Sequence, residues 1–186
     1  IGGDDYRGSD GPLYLTTPEC DNPLFDAFFT AASEAGYPLT DDVNGYQQEG
    51  FGKFDRTTYQ SRRFNAARAY LHPVMNRLNL TVRCNTLVRR IIFDGKRAVG
   101  VQILQSGKLQ DIRANEVICC GGAINSPQLL QLSGVGNPEL LEKYDIDVVH
   151  DLKGVGENLE DHAEVYVQYA CTQPVSLYPS LKWWRQ

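Results

Sequence analysis

The run Cys120-Gly121-Gly122-Ala123-Ile124-Asn125-Ser126-Pro127-Gln128-Leu129-Leu130-Gln131-Leu132-Ser133-Gly134-Val135-Gly136 constrains the fold more than any other stretch of the chain. Three backbone signals with separate causes follow one another within it. Just before it, Glu116-Val117-Ile118-Cys119-Cys120 is a short apolar run of the kind that forms a buried strand. Gly121-Gly122 ends that run with residues that tolerate positive φ and close approach by a ligand. Ser126 can then cap a helix, Pro127 suits a first turn that needs no amide donor, and Gln128 to Leu132 carry the helix until Ser133-Gly134 and Gly136 break it off. The expected order is strand end, turn, short helix, turn. Such a junction offers main-chain amides to a phosphate or cofactor in many α/β folds, and it is equally common in α/β domains that bind nothing there.

The remaining chain has to supply a core for this junction. With 186 residues, of which 42% are apolar and 10% aromatic, it can form one ordinary domain or parts of two. The net charge of −5 and the lack of a long basic run argue against nucleic acid and against an anionic membrane surface as partners. No window approaches the roughly 18 consecutive apolar residues of a membrane span. The opening Ile1-Gly2-Gly3-Asp4-Asp5 has no signal-peptide character, and a start without Met points to a processed or excised piece. The five cysteines, Cys20, Cys84, Cys119, Cys120 and Cys171, show no CxxC pair, and an odd number fits reduced thiols in a cytosolic compartment. Cys119 and Cys120 are expected on opposite faces of their strand, as packing residues. His72, His150 and His162 are too scattered for a metal site.

Taken in order, residues 1 to 22 read as loop, with a short strand possible at Leu13-Tyr14-Leu15. Helical spacing of Leu24, Phe25, Phe28, Phe29, Ala32 and Ala35 predicts a helix from Pro23, capped by Asn22 and ended by Gly36. Tyr37 to Phe54 is loop, and its Asp41-Asp42 pair reads as solvated turn chemistry. A second helix is expected from Ala66 under an Asn65 cap, with Ala67, Tyr70, Leu71 and Val74 toward a core. Pro73 should stop or kink it. The period then changes. Leu80 to Cys84 and Leu87 to Phe93 are strand-like, Asp94-Gly95 is a hairpin turn, and Ala98 to Gln105, Ser106-Gly107 and Leu109 to Arg113 complete a meander. Glu139 to Tyr144 is a helical turn, and Asp147 to His150 is strand-like. Glu164 to Cys171 alternates Val165, Val167 and Tyr169 with Glu164, Tyr166 and Gln168, as a half-buried strand does. The fold class is therefore mixed α/β (α+β).

The signature run, with its glycine-alanine start, Ser-Pro, two aliphatics and Ser-Gly-Val-Gly, closely resembles the second signature of the glucose-methanol-choline (GMC) family of flavin oxidoreductases. Further blocks resemble the family in the same order: Gln48-Glu49-Gly50-Phe51-Gly52, Arg68-Ala69-Tyr70-Leu71, Asn79-Leu80-Thr81-Val82, Phe93 to Val101, and Gly154-Val155-Gly156-Glu157-Asn158-Leu159-Glu160-Asp161-His162. Within the family the choline-oxidising members are the most similar, especially at Tyr169 to Pro179 and Trp183-Trp184. Lys153 and Glu160 depart from the usual Pro and Gln. The resemblance implies part of an FAD-binding Rossmann-like domain with a β-meander (65–162), flanked by portions of an antiparallel-sheet substrate domain (1–64 and 163–186). No Gly-x-Gly-x-x-Gly fingerprint occurs, and the family's catalytic histidine lies beyond Gln186. The chain is expected to be an interior slice of a longer enzyme, with no catalytic residue of its own, unable to hold FAD firmly or turn over alone.

Carried over by position, the resemblance places Val88 at a main-chain contact to the adenine, and Cys120, Gly121 and Gly122 along the adenosine portion of FAD. Taken alone, Val88 is an ordinary core valine. Glu164 corresponds to a glutamate facing the trimethylammonium group of choline, Trp184 to an aromatic wall of that cage, and His162 to a histidine near the substrate cavity. A quaternary ammonium has no proton to donate, so a carboxylate and aromatic faces are the groups that can recognise it. Without the resemblance, Glu164 is a solvated strand residue, Trp184 a core or interface aromatic, and His162 a histidine bonded to backbone. Asn158 and Asp161 are expected to shape their loop. The implied reaction is oxidation of an alcohol by hydride transfer to flavin, choline becoming betaine aldehyde. A neutral alcohol substrate, or a non-catalytic binding role on the same scaffold, remains open. A membrane electron acceptor, peripheral association with the inner face of the membrane, and self-association through exposed strand edges are further expectations.

Overall fold

The computed structural model describes residues 3–176. The chain divides into two compact units, one of residues up to Thr81 together with those from Tyr166 onward, the other Val82–Val165.

In the first unit, helix α1 spans Pro23–Glu34. It starts where Asn22 Oδ1 accepts from the Leu24 amide at 2.9 Å, which satisfies one of the amides that no helical carbonyl can reach. It ends in a Schellman turn: Gly36 takes φ +83, its amide donates to Ser33, and Tyr37 donates to Ala32. Both boundaries agree with the sequence reading. Strands β1 (Thr58–Tyr59) and β2 (Arg62–Arg63) form a minimal hairpin. Leu13-Tyr14-Leu15 forms no strand, and only an isolated bridge joins Thr16 to Arg56. The segment after Asn65 is a π-helical turn at Ala67–Leu71 followed by a 3₁₀ turn at His72–Val74. Pro73 has no amide for an α-helical bond, so the ladder changes register around it rather than continuing. Ala69 is the buried residue of this segment, whereas Tyr70, expected in the core, is exposed.

Asp42 is not a solvated turn residue. The guanidinium of Arg7 donates to both its oxygens, at 2.6 and 2.5 Å, and also lies 3.1 Å from Asp55. The Arg7 side chain is only 11% exposed. Asp42 also accepts from the Asn44 amide at 2.9 Å. The Arg7 fork, and after it the Asn44 amide, hold the Asp42 carboxyl down to about 2 from an ordinary 3.8.

The second unit is built on a three-stranded antiparallel meander, β3 (Thr86–Asp94), β4 (Arg97–Gln105) and β5 (Lys108–Arg113), in that order across the sheet. The β3–β4 turn uses Gly95 at φ +56, and the β4–β5 turn uses Ser106 and Gly107, both at positive φ, as two-residue hairpins require. Helix α2 (Gly122–Leu132) packs on β3. Strand β6 (Val135–Gly136) pairs in parallel with β7 (His150–Asp151), and helix α3 (Pro138–Lys143), capped by Asn137, lies between them in sequence. Ile103 and Leu141, 2% and 1% exposed, are its most deeply buried large side chains.

Four expectations are corrected here. Helix α2 begins at Gly122 rather than at Ser126, so Pro127 lies inside it; its missing amide and its ring interrupt one bond of the ladder. Ser126 still meets an orphan donor, accepting from the Gly121 amide at 2.9 Å. Val117 to Cys120 forms no strand among the described residues, and neither do Leu80 to Cys84 and Glu164 to Cys171. Apolar or alternating sequence makes a segment fit for a sheet, but a strand exists only when a neighbour takes its main-chain bonds. Val165 and Tyr169 are accordingly 86% and 89% exposed.

Candidate functional site

One end of the meander, the extended segment before α2, and α2 itself enclose a cleft of about 750 Å³. Its strand wall is Thr86, Leu87, Val88 and Arg89 of β3 with Val101 of β4. Facing it are Val117 to Gly121 and the α2 residues Asn125, Ser126, Gln128, Leu129 and Leu132. The structure therefore brings together Val88, Cys120 and Gly121. Gly122 follows directly at φ +81, where a Cβ would meet nothing within 4 Å, so the turn is open on that side.

Two features fix the walls. Ser133, at the end of α2, is buried; its hydroxyl accepts from the Ile91 amide at 2.8 Å and donates to the Leu129 carbonyl at 2.5 Å. That clamps the helix to the edge strand of the sheet. Gly134 then takes φ +87 with the Asp147 carbonyl and Val149 pressed against its α-carbon, an approach that a Cβ would block. The Ser-Gly pair of the signature thus sets how far α2 stands from β3. Cys119 and Cys120 both border the cleft, Cys119 half-buried and Cys120 exposed, an alternation shared with Val117 and Ile118 and in keeping with the opposite facing expected of them.

Across α2, a second hollow of about 590 Å³ is bordered by Gln128, Gln131 and the loop Gly156 to Glu160. Gln131 Nε2 donates to the Val155 carbonyl at 3.0 Å and holds that loop. Farther along, Asp161 accepts from the His162 amide at 2.8 Å, the local loop-shaping bond expected of it. His162 and Glu164 are exposed and outside the lining of the cleft. Trp184 lies outside the described residues. Sequence reasoning missed Thr86, Arg89, Val101, Asn125 and Gln128 as lining residues; Thr86 and Arg89 carry no motif and reach the cleft through the course of β3, whereas Asn125 and Gln128 stand within the signature run and reach it from α2. Among the described residues, no three His, Cys, Asp or Glu side chains could share a metal ion, and no helix is long and apolar enough to cross a membrane.

The GMC oxidoreductase family model matches residues 6–164. The chain belongs to the GMC oxidoreductase family. Its relatives include the oxygen-dependent choline dehydrogenase of Klebsiella pneumoniae (strain 342), 59% identical over the whole of this chain. The chain spans 34% of that relative's length. Among solved GMC-like structures, an FAD-dependent oxidoreductase from Chaetomium thermophilum superposes with a TM-score of 0.79 at 31% identity, over 87% of this chain and 29% of that one. Pyridoxine 4-oxidase from Mesorbium loti gives 0.72 at 29% identity, over 78% and 29%. The mixed helix and antiparallel-sheet content is that of these GMC neighbours.

Proposed function

We propose that this chain is part of an FAD-dependent choline dehydrogenase that oxidises choline to betaine aldehyde, the step that feeds glycine betaine synthesis. What carries the reading is the 59% identity to an enzyme of that name along the full length of the chain. The cleft adds physical support: its volume of about 750 Å³ and its largely apolar walls suit the adenosine half of FAD. Val88, Cys120, Gly121 and Gly122 hold that half, the glycines leaving the main chain accessible to it.

Bound FAD supplies the acceptor for a hydride leaving the carbon that bears the alcohol. The residues of this chain orient and select. Glu164, His162 and Trp184 face the trimethylammonium end of the substrate, Glu164 by charge and Trp184 by its ring face. The domain reading follows the same division, with 65–162 serving the cofactor and the flanking segments the substrate. The relatives' name, oxygen-dependent, favours dioxygen as the acceptor that reoxidises the flavin; a membrane acceptor with peripheral attachment is the other arrangement, and oxygen uptake during turnover separates the two. Open edges on β3 and β5 favour self-association of this chain by itself.

The test uses the full-length enzyme with choline and with its neutral isostere, in which a tert-butyl group replaces trimethylammonium. Strong preference for choline, reduced through KM by Glu164→Gln, is the expected result. Equal use of both alcohols assigns the chain to a neutral-alcohol oxidoreductase, and a protein without flavin absorbance or turnover is a binding domain on this scaffold.

A further inference from the structure

The chain carries the triplet Gly-Val-Gly twice, at Gly134-Val135-Gly136 and at Gly154-Val155-Gly156. One side chain of α2 explains why both end in glycine. Gln131 passes over Gly136, where a Cβ would stand 3.3 Å from Gln131 Cγ, and ends at Gly156, where a Cβ would stand 2.5 Å from its Nε2. Gly156 also takes φ +84, which glycine adopts without steric cost. The close approach lets Nε2 donate to the Val155 carbonyl at 3.0 Å, in a part-buried setting and across 24 residues of sequence.

Beyond β7 the main-chain bonds of the loop are local ones, from the Val155 amide to Leu152 and from the Glu157 amide to Gly154. Such bonds shape a turn but do not fix where it stands against a helix. Among the described residues, Gln131 is the only side chain of α2 bonded to the loop 154–160. The chain then runs on to His162 and Glu164 within the same compact unit. We propose that Gln131 is a positioning residue for the substrate end of the site: its bond to Val155 fixes where the loop leaves α2, and so the point from which His162 and Glu164 are reached. The proposal rests on the reading that those two residues face the cation of choline. The helix whose first turn borders the cofactor cleft thus holds, from its last turn, the segment that meets the substrate. A single bond biases the loop by no more than its own free energy, so its loss weakens cation binding modestly rather than abolishing it.

The test uses the full-length enzyme loaded with FAD. Gln131→Met keeps the length of the side chain and its packing on Gly136 but offers no donor to Val155. Amides in peptides covering 154–164 should exchange faster with solvent. KM for choline should rise about fivefold, the worth of one neutral hydrogen bond, while kcat and the KM for the tert-butyl isostere stay within about twofold of wild type. Gly156→Ala drives the Gln131 amide away without altering α2 and should act in the same direction. The double variant should fall well short of the two KM changes multiplied, because both remove one contact. Unchanged exchange in both variants overturns the latch. Faster exchange with no change in KM for choline, or with an equal rise for both alcohols, overturns the positioning role. If the wild type itself makes no distinction between choline and the isostere, the substrate reading fails, and the proposal with it.

Discussion

The hydroxyl of Ser133 accepts a hydrogen bond from the amide of Ile91 across 42 residues of sequence, at 2.8 Å, in a buried setting. β3 is an edge strand, and this bond gives the otherwise unpaired amide a partner while joining the end of α2 to the sheet. One side chain of the signature therefore serves the sheet, the helix and the cleft between them.

Removing that hydroxyl leaves a buried amide without an acceptor. Ser133→Ala should destabilise the protein by about 1–3 kcal/mol, the cost of an unsatisfied buried donor. Urea unfolding should show a lower midpoint at unchanged slope. An unchanged midpoint would show that the clamp is dispensable.

Gly100 stands opposite Arg113, at φ +153, and a Cβ there would press on the Ile112 carbonyl oxygen, with the Arg113 α-carbon at 3.0 Å. Both are backbone atoms and cannot swing away. Gly100→Ala should therefore cost about 3 kcal/mol. Gly95→Ala, at φ +56 with open space around it, should cost only about 1 kcal/mol. Equal losses in thermal or chemical unfolding would contradict the steric account.

The Arg7–Asp42 pair makes stability depend on acid. Because the folded carboxyl titrates at about 2 and the unfolded one near 3.8, the paired form contributes fully above about pH 4. That contribution fades as pH falls through 2. Wild type should unfold at a higher midpoint than Asp42→Asn at neutral pH, and the two should converge at the acid end. A constant difference across this range would mean that the charge of Asp42 is not what stabilises the loop.

The β1–β2 hairpin turns on Gln60 and Ser61, both non-glycine residues at positive φ, +48 and +59. Asn-Gly fits that pair of conformations better. The double replacement Gln60→Asn, Ser61→Gly should stabilise the protein by about 1 kcal/mol, read as a rise in Tm. A fall in Tm would place the strain elsewhere.

Local chemistry explains what was legible beforehand. The Asn22 cap, the Gly36 stop, and the turns at Asp94-Gly95 and Ser106-Gly107 each depend on residues a few positions apart, and each stands within a residue or so of its expected place. What failed depends on distant partners. Val117 to Cys120 and Glu164 to Cys171 carry strand-like sequence but form no strand among the described residues, and periodicity cannot report that. The Asp42 partner is 35 residues away, and the β-bulge that leaves Arg89 without a partner in the β3–β4 ladder follows from register, which no short pattern encodes. Val88, Cys120 and Gly121 reached the list of cleft residues by resemblance to a family; the residues alone would have left Val88 in a core.

Thiol labelling tests the cleft assignment most directly. Cys120 is exposed on the wall of the cleft, whereas Cys84 is exposed outside it. In the full-length protein, alkylation of each cysteine can be followed by mass spectrometry with and without bound FAD. Strong protection of Cys120 by FAD, reproduced by AMP and absent at Cys84, is the expected result. Equal labelling of Cys120 in the flavin-free and flavin-loaded protein would contradict the assignment of this cleft to the cofactor.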